Sequence, residues 1–260
     1  MSAALAPLLA YKAYAALAWF ALFFAGERVF AAARPKGSWR WDGARLARNL
    51  GLWLINVALS LLIVLPATLF AARHVLLWRP LWWQGTAGLV LDLVVLDFLI
   101  YWWHRANHRI PFLWRFHEVH HLDRFLDSTT ALRFHAGEVA LSAAARALVI
   151  LLLAFPLASV LAFETLVLIA AIFHHSNLKL PPALERRLAR VVITPSIHWV
   201  HHHALKRDTD SNYGTILSVW DPLFASRNWR PRTPEMEIGV EQEAEGSFAT
   251  LLVKPFTARS

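Results

Sequence analysis

The apolar residues of this chain are gathered into runs as long as a bilayer is thick, and that arrangement decides what it can fold into. One run covers about Leu9–Phe24, a second Leu50–Ala72, a third Thr86–Trp103, and a fourth apolar region extends from Val139 to Phe173. About 20 helical residues cross the hydrocarbon core. Inside it the backbone must satisfy its own hydrogen bonds, and unalternating apolar runs do so as helices. The fourth region is too long for one crossing and carries Pro156 near its middle, which predicts a tight hairpin, Val139–Phe155 and Leu157–Phe173, over a single kinked helix. The predicted fold is an all-α integral membrane protein, a multi-span helical bundle.

Charge sets the expected orientation. The formal charge is +8, and a basic stretch, Glu27–Asn49, holds Arg28, Arg34, Lys36, Arg40, Arg45 and Arg48. The positive-inside rule assigns this loop to the cytoplasm, and counting spans brings segments 104–138 and 174–260 to the same side. The expected location is a bacterial inner membrane. The N-terminal run has no basic n-region and no clear cleavage site, so it is expected to be a retained span. The basic residues form no compact patch with a base-reading motif, so no nucleic-acid partner is expected; a basic face against anionic lipid accounts for them. Many of the 13 tryptophans flank the apolar runs, as in WRPLWW and YWW, where interfacial rings belong.

With no cysteine in the chain, disulfides, iron–sulfur clusters and thiolate-bound zinc are excluded, and any metal must take nitrogen or oxygen ligands. Histidine supplies them. His104 and His108 stand at i, i+4; His117, His120 and His121 at i, i+3, i+4; His198, His201 and His202 repeat that second pattern. On a helix these offsets bring side chains to one face. Eight imidazoles in three matched patterns would leave many buried donors and acceptors unmet without an ion. His135 and His175 could complete a set of ten, enough for two ions; His174 and His203 are adjacent spares. His74, alone, reads as a surface residue. Neutral imidazole suits iron, zinc, copper and nickel. Two redox ions close together fit O2 chemistry on an unactivated C–H bond, whereas a zinc hydrolase acting on a lipid ester or amide needs fewer ligands. A metal carrier would need ligands along its crossing path, and these cluster at one side. Zinc remains a substitute that a purified specimen could carry.

The boxes HRANH, HEVHH and HWVHH resemble those of the fatty acid hydroxylase/sterol desaturase superfamily. Asp97 and Tyr101–Trp102 before the first box, RFHxxE around His135, HSN at His175–Asn177, and NYG followed by WDPLF at Asn212–Phe224 agree with it. The resemblance runs from about Val90 to Phe224. It implies a dinuclear iron centre facing the cytoplasm, held by His104, His108, His117, His120, His121, His135, His175, His198, His201 and His202. It also implies O2-dependent hydroxylation or desaturation of a lipid. Ala225 and Ser226 stand where many relatives carry Gly-Thr, a mild change at a turn, and no haem-binding cytochrome b5 domain is expected before the catalytic part.

Three parts are expected: 1–85, N-terminal spans and basic loop; 86–230, the catalytic part with hairpin 139–173; 231–260, a loosely structured cytoplasmic tail with a strand-like LLV. LKLPPALERRLARV predicts an amphipathic interfacial helix. Asp97, Glu118 and Glu138 are candidate acceptors for the ligands' second N–H, with Asp92 a structural partner for Asp97. Asp221 is expected to fix a turn with Asn212 and Tyr213. Arg105, Arg109 and Arg124 could hold an acidic head group. No dinucleotide, flavin or iron–sulfur motif is present, so electrons are expected from a ferredoxin, cytochrome or flavoprotein reductase.

Overall fold

The computed structural model describes residues 5–35 and 42–257. Lys36 and Arg40 of the expected basic loop lie outside them. The main helices are α1, Leu5–Val29; α2, Gly43–Arg73; α3, Gly85–Arg109; α4, Pro111–His121; α5, Ala136–Leu153; α6, Leu157–His175; α7, Pro182–Leu188; α8, Pro195–His201; and α9, Phe248–Val253. Four of them, α2, α3, α5 and α6, are long and apolar enough to cross a bilayer. Their most apolar windows are only 11–33% buried inside the protein, so most of that surface needs an apolar solvent. The chain is a multi-pass integral membrane protein. The first expected run lies within α1, which packs along α6 through Trp19, Phe23 and Phe173.

Two corners position the functional end. Between α3 and α4, Ile110 is extended because Pro111 bars helical geometry in the residue before it, and Pro111 then opens α4. The first two histidine boxes therefore sit on adjoining helices. The fourth apolar region is the expected hairpin: Ala154 takes a left-handed conformation (φ 54°) and ends α5, and Pro156 leads into α6. Because α3 and α6 both end in histidines at the same end of the bundle, Ile150, Phe155, Val160 and Phe163 form a dry core towards the other end.

The tail corrects an expectation. Leu251–Val253 are helical, not a strand, in a short helix whose N-terminus Ser247 caps by accepting from the Thr250 amide. A lone three-residue strand would leave its backbone groups unpaired, whereas a helical turn pairs them internally and lets Leu251 pack fully buried against Leu52, Val119 and Leu122. The expected interfacial helix extends to only seven residues, Pro182–Leu188, with Leu184, Arg186 and Arg187 exposed.

Candidate metal centre

The histidines of four helices converge into two groups. His104, His108, His117, His121 and His201 form the first, and His120, His175, His198 and His202 the second; within each, the candidate ligand atoms all lie within 4.8 Å of one another. Each three-histidine box is divided between the groups. In HEVHH the i, i+4 pair, His117 and His121, enters the first and His120 the second. In HWVHH the i, i+4 pair, His198 and His202, enters the second and His201 the first. At 3.6 residues per turn, i+3 lies about 60° to one side of i and i+4 about 40° to the other, so one short helix addresses two neighbouring sites. The groups adjoin: His121 of the first stacks on His202 of the second, centroids 4.3 Å apart and 18° from parallel.

The tautomers follow from oxygen partners. Nδ1–H donates to the Tyr213 carbonyl from His104 (2.8 Å), to Glu138 Oε1 from His117 (2.7 Å) and to the Arg133 carbonyl from His120 (2.9 Å). His175 donates likewise to the Ala171 carbonyl and His201 to that of Ser211, both at 2.7 Å. A carbonyl or carboxylate only accepts, so these five rings carry their proton on Nδ1 and present a bare Nε2. Yet Nε2 of His120 and Nε2 of His175 stand 3.1 Å apart. Two lone pairs at that distance repel, and only a cation beside them makes the arrangement favourable. Nε2 of His198 is 3.0 Å from that of His175 and 3.1 Å from that of His202. Neither ring nitrogen of buried His108 has a hydrogen-bond partner, nor has Nε2 of His201. Burial, and then the neighbouring rings, push the pKa of His120, His121, His198, His201 and His202 well below the usual range, which keeps them in the neutral form that binds metal. Residues so arranged fit two metal ions.

Other expected site residues have different partners. His135 stands outside both groups: its Nδ1 accepts from the Gly137 amide (2.9 Å), capping α5, and its Nε2–H donates to the Leu252 carbonyl (3.1 Å), so neither nitrogen is left for a metal. His203 pairs through Nδ1 with Asp208 (2.7 Å), itself bound by Arg230. His174 packs 4.0 Å from His198, centroid to centroid, without joining the second group. Asp97 accepts no ligand N–H. It binds the amides of Ile216 (3.2 Å) and Leu217 (3.1 Å) and Nε1 of Trp220 (2.8 Å), fixing the segment that follows Tyr213. Asp92 is not its partner; it takes Arg79, Trp83 and Ser159 at the other end of the bundle. Asp221 accepts from the amides of Tyr213 (2.7 Å) and Gly214 (3.0 Å), bracing the left-handed turn at Asn212 and aiming the carbonyl that holds His104.

Among the candidate carboxylates, Glu138 accepts from a candidate ligand, His117. Buried Glu118 lines a cavity of about 550 Å³ with His108, Arg109, Trp114, Lys206 and Asp210. Arg105 is tied to Tyr101 and to the Phe224 carbonyl, both at 3.1 Å, and Arg124 lies 3.4 Å from Glu245. Sequence reasoning missed the carbonyl acceptors of Ser211, Arg133 and Ala171, since a backbone acceptor leaves no trace in residue identity. It also missed Asp210, 3.7 Å from Nδ1 of His108. Replacing Glu138 by alanine is expected to weaken metal binding at the first group by about 10–100-fold, read by chelator competition.

Two buried histidine groups at one end of a bundle of lipid-facing helices define a metal-binding, histidine-box membrane protein. The family model described as fatty acid hydroxylase matches residues 89–226, more than half of the chain, which thus belongs to that family. The chain is 28% identical over 177 residues to the ornithine lipid hydroxylase OlsE of Rhizobium tropici, covering 68% of this chain and 53% of that one. It is 29% identical over 206 residues to the alkylglycerol monooxygenase of Xenopus tropicalis (73% and 43%). To the very-long-chain aldehyde decarbonylase GL1-6 of Oryza sativa subsp. indica it is 27% identical over 163 residues (55% and 24%). The chain thus spans about half the length, or less, of these relatives. No solved structure matches it.

Proposed function

We propose that the chain is an O2-dependent oxygenase with two iron ions that hydroxylates or desaturates a C–H bond of a membrane lipid. The observation that carries this reading is the pair of adjoining histidine groups whose bare Nε2 atoms converge. The ligands are His104, His108, His117, His121 and His201 for one ion and His120, His175, His198 and His202 for the other; His135 has no part in either. When bound, the two ions supply O2 activation and abstraction of hydrogen from carbon. The chain's own residues hold the rings for that chemistry: Glu138 and the carbonyls of Tyr213, Ser211, Arg133 and Ala171 each fix a proton on Nδ1 and leave Nε2 free. An all-nitrogen set of this size exceeds what a zinc hydrolase needs. Two of the relatives are named a hydroxylase and a monooxygenase, which is oxygenase chemistry.

The substrate in this reading is an amphipathic lipid reaching the metals from the bilayer, as an ornithine lipid or an alkylglycerol ether would. Of the three arginines considered for its head group, Arg109 lies on the cavity shared with His108, beside Tyr213 and Asp210; Arg105 and Arg124 are tied elsewhere in the protein. The metal-bearing end faces the cytoplasm by the positive-inside rule, in a bacterial inner membrane, and electrons come from a separate ferredoxin, cytochrome or flavoprotein reductase. Lipid analysis of cells with and without the gene tests the activity. A lipid gaining one oxygen indicates hydroxylation, and one losing two hydrogens indicates desaturation. Turnover of a lipid ester or amide that persists without O2 would instead establish a hydrolase.

A further inference from the structure

The ring of His120 is seated by a segment that is itself gripped from outside the histidine boxes. Its Nδ1–H donates to the Arg133 carbonyl (2.9 Å), and its face stacks on Phe134 with centroids 4.4 Å apart and planes 8° from parallel. The Arg133 guanidinium, fully buried, reaches back to the same turn of α4, where Nε donates to the Val119 carbonyl (2.8 Å). Arg133 thus holds His120 twice, through the ring and through the backbone one residue before it. The guanidinium is held in turn by Glu245, whose Oε1 accepts from Nη1 at 2.7 Å, and by Asn49 Oδ1 at 3.0 Å; Asn56 donates to the Phe134 carbonyl at 2.7 Å.

We infer that Glu245, in the C-terminal segment, is a positioning residue for the second metal group, acting through Arg133 on the ring of His120. Its carboxylate is fully buried and also binds Arg48, at 2.9 and 2.7 Å. Among the described residues it is the only carboxylate paired with Arg133. Without it the guanidinium loses its one directly paired carboxylate and keeps a full charge in a buried site, with neutral hydrogen-bond partners and only the more distant Asp123 as counter-charge, and moves towards water. The Val119 and His120 contacts then move with it. An imidazole whose acceptor shifts no longer aims its Nε2 at a fixed point, and outer partners of metal-binding histidines carry about 10–100-fold in metal affinity.

The inference rests on His120 being a ligand, and the test separates the two. Full-length protein, wild type and with Glu245→Gln, Glu245→Asp or Arg48→Gln, is loaded anaerobically with ⁵⁷Fe and examined by Mössbauer spectroscopy and chelator competition. For Glu245→Gln the expected result is one of two iron signals altered and that iron held about tenfold or more weakly, the other signal unchanged. Glu245→Asp, which keeps the charge, recovers part of the loss. Arg48→Gln, which removes a partner of Glu245 but leaves the Arg133 pair, behaves as wild type. An unchanged spectrum in Glu245→Gln overturns the relay, as does an equal change in Arg48→Gln or loss of both irons in proportion to folded protein. Wild-type protein lacking the second iron signal overturns the ligand reading itself, and the relay with it.

Discussion

Substituting alanine for His201 and, separately, for His202 is expected to empty different metal sites, although the two residues are neighbours in sequence. His201 belongs to the first group with His104, His108, His117 and His121, and His202 to the second with His120, His175 and His198. Each variant should fall from about two ions per chain to about one, with a different ion lost, because removing a ligand leaves the opposite group intact. Turnover should drop about a thousandfold or more in both, since groups that act as a unit lose nearly all function when one fails. Metal content with site-resolved spectroscopy checks this. Loss of the same ion in both variants would contradict the division of the boxes.

Arg45→Met should be among the most destabilising single changes outside the metal ligands. The Arg45 side chain, 8% exposed, binds Asp123 at 2.5 and 2.9 Å, Asp127 at 2.8 and 3.0 Å and the Phe125 carbonyl at 2.6 Å. It ties α2 to the loop that leads from HEVHH to Arg133. Removing it leaves two buried carboxylates without their main counter-charge, a loss of about 3–5 kcal/mol, measurable by thermal or denaturant unfolding in detergent. The acid limb of the stability profile should change as well. Burial alone would raise the Asp123 pKa, but the Arg45 and Arg133 guanidiniums overcome it and hold it at about 2. A carboxylate held low contributes stability that is complete above its ordinary pKa near 4 and is lost as pH falls towards 2. Its contribution is about 2 kcal/mol. In Arg45→Met that step should shrink. An unfolding profile between pH 4 and 2 that matches wild type would show that Asp123 does not depend on Arg45.

Much of the architecture was legible because it rests on local physics. Apolar run length located α2, α3, α5 and α6, the helices long and apolar enough to cross, and Pro156 located the hairpin turn within two residues of left-handed Ala154. The offsets of HRANH, HEVHH and HWVHH identified eight of the nine grouped histidines, because helical periodicity is a property of neighbours in sequence. The ninth, His175, stood out only as a candidate at the end of a span. His135 looked equivalent to it, yet ends as a helix cap because α5 begins there and the Leu252 carbonyl lies against its other nitrogen. Asp97 lies on nearly the same helical face as His104, but accepts from the 216–220 segment, more than a hundred residues away. Glu245 sits in a stretch that read as a loosely structured tail.

The sequence by itself determined that the chain enters a bilayer, turns where it turns, and carries histidines at helical spacing. Only the tertiary structure decided which imidazoles share a group, which carbonyl fixes each proton, and which charges lock the loop beneath them. Spacing along one helix fixes the direction of a side chain relative to its neighbours. What lies in that direction is settled by the packing of segments distant in sequence.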